Sequence, residues 1–104
     1  VSQVEEAVLE EGGRLRLRVV HGGGCKTHGY GVSWDGAFLE SAPPQVRLRL
    51  HHDDGGDRCR ALVRRVLRVD LAPLQEAYRA GYRTAHGTLV LTLEERPERV
   101  QWTF

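Results

Sequence analysis

Between Arg14 and His21 the chain alternates with a period of two. Leu15, Leu17 and Val19 fall on one face, Arg14, Arg16 and Arg18 on the other, and His21 continues the apolar parity. This is the signature of a half-buried strand. The same alternation recurs at Val46, Leu48 and Leu50 against Arg47 and Arg49, at Leu89, Leu91 and Leu93, and at Val100, Trp102 and Phe104. His28, Tyr30, Val32 and Trp34 share one face of a further strand, with Gly29, Gly31 and Ser33 opposite. Small residues there would let another backbone or loop approach closely.

Turn signals separate these runs. Glu11-Gly12-Gly13 closes a first hairpin from an edge strand over Val4 to Glu10. Asp35-Gly36 is a hairpin dipeptide whose returning strand would be Ala37 to Glu40. Pro43-Pro44 forces an extended connection, and residues 94–98 read as a loop. Cys59 to Leu71 reads as a strand interrupted by a bulge near Arg64-Arg65, because Arg65 breaks an otherwise apolar parity. Pro73 to Ala80 reads as a short helix, with Pro73 at its first position and Gly81 just past its end. The expected fold is a mainly β, antiparallel sandwich or small barrel with one short helix at 73–80. The expected core comprises Leu15, Leu17, Val19, Tyr30, Val32, Trp34, Val46, Leu48, Leu50, Val69, Leu71, Leu89, Leu91 and Trp102.

At 104 residues the chain suits one domain, 1–104, with no internal repeat or linker. The net charge of +1 calls for neither nucleic acid nor an anionic membrane. No apolar run could span a bilayer. The arginine faces read as solvated surfaces carrying cross-strand Arg–Glu pairs, leaving another protein as the open possibility for a partner. Ile, Asn and Met are absent and Lys26 is the single lysine, a bias typical of a high-GC bacterial genome. With no initiating Met, the expectation is a processed or trimmed chain.

Chemistry concentrates in two polar clusters, His21 to His28 and His51 to Cys59, each with one of the two cysteines. Parity puts His21, His28 and Cys59 on the inward face at strand ends, with His52 expected to join them and His51 pointing outward. Cys25 lies in the turn between two of these strands. The clusters are therefore expected to meet. A Cys25–Cys59 disulfide is the favoured reading; it would close a long loop and suit an exported domain, periplasmic or extracellular. The function read from this is a small non-enzymatic binding or structural module with no cofactor. The alternative is a zinc or copper site built from Cys25, His28, His52 and Cys59, with His51 or His21 as substitute ligands. A second alternative is a cysteine-dependent enzyme with Cys25 as nucleophile and His28 or His21 as base.

Other motifs carry less. His21-Gly22-Gly23-Gly24 matches the oxyanion motif of lipases, but no G-x-S-x-G accompanies it and the chain is too short for that fold. Gly24-Cys25-Lys26-Thr27 lacks the following helix that would hold phosphate. Asp53, Asp54 and Asp57 do not have calcium-loop spacing and read as a solvated turn.

Overall fold

The computed structural model describes residues 2–94, 96 and 99–104. The expected loop at 94–98 lies partly outside them. The chain forms β1 (Ser2–Glu10), β2 (Arg14–Gly23), β3 (Gly29–Trp34), β4 (Gln45–Asp53), β5 (Ala61–Asp70), α1 (Ala72–Tyr82), β6 (Thr88–Leu93) and β7 (Arg99–Thr103). These make two sheets, ordered β1-β2-β5 and β3-β4-β6-β7. Every pairing is antiparallel except β4 with β6. The protein is mainly β with two sheets and one short helix.

The two sheets share one core. β2 contributes Leu15, Leu17 and Val19; β4 contributes Val46 and Leu48; β6 and β7 contribute Leu89, Leu91, Leu93 and Trp102. Tyr30, Val32, Trp34, Leu50 and Val69 pack against this cluster but stay partly exposed, while Val4 and Leu74 enter it. Burying each large side chain contributes roughly 1.5–3 kcal/mol. A sandwich-like arrangement follows from both sheets presenting their apolar parity to the same interior.

Four local expectations are corrected. β5 runs in unbroken register with β2 from Arg14↔Asp70 to Gly23↔Ala61, with no bulge at Arg64-Arg65. Arg65 keeps its parity opposite Val19 and is exposed at that position. Residues 37–40 form no returning strand. β3 pairs instead with β4, and only an isolated Leu39↔Gln45 bridge remains. The helix runs to Tyr82 and ends on Arg83, which adopts the left-handed conformation at φ 55° usually taken by glycine. Opposite Gly31 nothing approaches, so its small size is not used for close packing.

Six of the outer arginines form ion pairs among the described residues. Arg16 reaches Glu6 and Glu10, Arg18 reaches Glu6, Arg64 reaches Glu5, and Arg68 reaches Glu10, all across strands of the first sheet. On the second sheet Arg47 meets Asp35 and Arg49 meets Glu94. Exposed pairs of this kind each contribute ~0–1 kcal/mol. No helix among the described residues is long and apolar enough to cross a membrane.

Candidate metal centre

The core face of three successive strands changes from apolar to imidazole at the same end of the domain. On β2, Leu15, Leu17 and Val19 lead to His21, which is only 3% exposed. On β4, Val46, Leu48 and Leu50 lead to His52. On β3, Trp34, Val32 and Tyr30 lead back to His28, just before the strand begins. The register sets Tyr30 directly opposite His52. The result is a layer of four rings. His21 lies 4.4 Å from His28 and 4.3 Å from His52, centroid to centroid, and the His28–His52 and Tyr30–His52 separations are 4.9 and 5.2 Å.

Hydrogen bonds fix which nitrogen of each ring faces the centre. His21 Nδ1 lies 2.8 Å from the Gly22 carbonyl, which can only accept, so Nδ1 carries the proton and Nε2 is left as an acceptor. Tyr30 donates its hydroxyl to that Nε2 at 2.5 Å. His28 Nε2 donates to Asp57 Oδ2 at 2.8 Å, leaving Nδ1 as the acceptor of a 2.7 Å bond from His52 Nε2. The ligand nitrogens of His21, His28 and His52 all lie within 4.8 Å of one another. Burial, and then the neighbouring His21 and His28, lower the pKa of His52 from its ordinary 6.5. This favours the neutral form that can bind metal.

Asp57 is the hub beneath this layer. Its side chain is fully shielded, contrary to the solvated turn expected for residues 53–57. Oδ2 also accepts the backbone N–H groups of Cys25 and Lys26, each at 3.0 Å, and Oδ1 accepts that of Cys59 at 3.0 Å. The hydrogen bond from His28, with those from the backbone, holds the carboxyl well below the usual carboxylate range. Gly23 makes the approach possible. A Cβ there would come within 2.7 Å of His28 Nε2 and 2.9 Å of Asp57 Oδ2, and its φ of 150° lies in the range that favours glycine.

Cys25 and Cys59 form a disulfide with a Cα–Cα distance of 5.9 Å, closing a 34-residue separation. A loop of that length stabilises the fold by about 3–4 kcal/mol in the chain-entropy treatment. Neither cysteine is free. The thiolate ligands of the Cys25, His28, His52, Cys59 set are therefore not formed, nor is a Cys25 nucleophile. The structure divides that set: the cysteines bind each other, while His28 and His52 join His21. His51 stands on the outer face, 2.6 Å from the Ser33 hydroxyl. Two contributors, Tyr30 and Asp57, stand outside the ligand set that cysteine and histidine spacing suggests. Tyr30 was visible in principle, two residues from His28 on the same face. Asp57 carries no such signal, because all its partners but Cys59 lie in a loop about thirty residues earlier.

His21 and His52 line an open groove of about 1040 Å³, with Arg49, Asp54 and Arg58 along its walls. The layer is therefore reachable from solvent through the groove. Compared with protein-family models, curated proteins and solved structures, the chain gives no significant match.

Proposed function

We propose that this domain is an exported, non-enzymatic binding module whose ligand is a single transition-metal ion, zinc or copper, held by His21, His28 and His52. The observation that carries this is the convergence of three imidazole nitrogens within 4.8 Å of one another. Neutral imidazole is the commonest protein ligand for both metals. Two of the three rings have the nitrogen on the far side bonded to a carbonyl or a carboxylate, the outer arrangement that orients metal-binding histidines. A disulfide persists in oxidising compartments, which supports export. Three protein ligands leave a further coordination position for a small ligand or another donor.

The test is titration of the oxidised, metal-free protein with zinc. One equivalent should bind. His28→Ala should weaken binding by more than the ~10–100-fold that follows loss of an outer hydrogen-bond partner. His86→Ala, outside the layer, should leave it unchanged. Absence of stoichiometric binding, or full affinity in His28→Ala, would contradict the reading.

A further inference from the structure

Tyr30 occupies a position that the three-histidine reading leaves unexplained. Its hydroxyl oxygen sits 2.5 Å from His21 Nε2, the nitrogen that the Gly22 carbonyl frees for a ligand. Its ring stacks on His52, 5.2 Å away and 6° from parallel. It is the nearest oxygen donor on the face of β3 that continues from His28. We infer that Tyr30 is the fourth ligand of the site and that its phenolate makes a three-nitrogen, one-oxygen set selective for copper(II). This rests on the three-histidine reading and names the ion that the site prefers. Mixed nitrogen and oxygen donors suit tetragonal copper(II), which also binds most tightly among the divalent first-row metals.

The metal-free network already marks the ion's place. Two protons lie between the four donor atoms, one from Tyr30 to His21 and one from His52 to His28. A copper(II) ion replaces both. The Tyr30 proton passes to solvent as the copper–oxygen bond forms, and the His52 proton moves from Nε2 to Nδ1 so that Nε2 becomes a ligand. The other two histidines need no change of tautomer. The balance is one copper(II) ion bound and one proton released.

The experiment is titration of the oxidised protein with copper(II) sulfate near pH 7.5, followed by visible absorption, resonance Raman scattering and proton release. Wild-type protein should bind one equivalent, release one proton, and show a tyrosinate-to-copper charge-transfer band with enhanced tyrosinate ring modes. Tyr30→Phe should still bind one equivalent through the histidines, at least tenfold more weakly, with no band and no released proton. Tyr78→Phe, on α1, should keep the band. The spectrum of the wild-type protein decides the question even if Tyr30→Phe folds poorly. One equivalent of copper bound without a tyrosinate band, or a band that survives in Tyr30→Phe, overturns the fourth-ligand assignment and leaves the histidine site standing. No binding of copper or zinc by wild-type protein overturns both.

Discussion

Asp57 accepts the Nε2 proton of His28 at 2.8 Å from a side chain that solvent does not reach, and the same carboxylate oxygen ties down Cys25 and Lys26. One residue thus orients a candidate ligand and anchors the disulfide loop. Asp57→Asn separates these roles poorly by design, since an amide has one acceptor oxygen where the carboxylate uses two. Its amide nitrogen would face a backbone N–H, donor against donor. The variant should lose ~10–100-fold in zinc affinity, the usual effect of removing an outer partner of a metal-bound histidine. Competition with a chromophoric chelator measures this. Unchanged affinity in a folded Asp57→Asn protein would mean that His28 needs no such orientation.

The lowered pKa of His52 gives the metal-free protein a pH-dependent stability. The folded state keeps this ring neutral because of its burial and the adjacent His21 and His28. The unfolded chain takes up the proton at the ordinary value of 6.5. Between the two values the unfolded state binds more protons, so stability falls as the pH drops below 6.5 and the loss is complete below the folded value. Urea midpoints of the metal-free protein should therefore be level from pH 8 to pH 7 and decline towards pH 5. His52→Gln should flatten the part of this decline that His52 causes. A midpoint independent of pH across that range would contradict the reading.

Much of this was legible in the sequence because strand parity is a local property. The alternation around Leu15, Val46 and Leu89 placed the strands, and the same parity placed His21, His28 and His52 at one end of the core. What the sequence did not disclose depends on long-range geometry. The pairing of β3 with β4 replaced the Asp35-Gly36 hairpin because Val46 to Leu50 offers a longer apolar partner than Ala37 to Glu40. The parallel β4–β6 pairing follows from a crossover through the other sheet and α1, which no local pattern records. Ligand spacing points equally to the cysteines, whose sulfurs are used in the bond that joins the two loops. Parity, rather than spacing, picked out the histidines that meet.

The most direct test of the account is X-ray absorption at the zinc edge of the oxidised protein loaded with one equivalent of zinc. The account predicts a first shell of nitrogen and oxygen alone at about 2.0–2.1 Å. Multiple scattering should correspond to three imidazoles, with no sulfur shell near 2.3 Å. A sulfur contribution would place Cys25 or Cys59 on the metal, and a shell without imidazole scattering would remove His21, His28 and His52. Either result would contradict the three-histidine site.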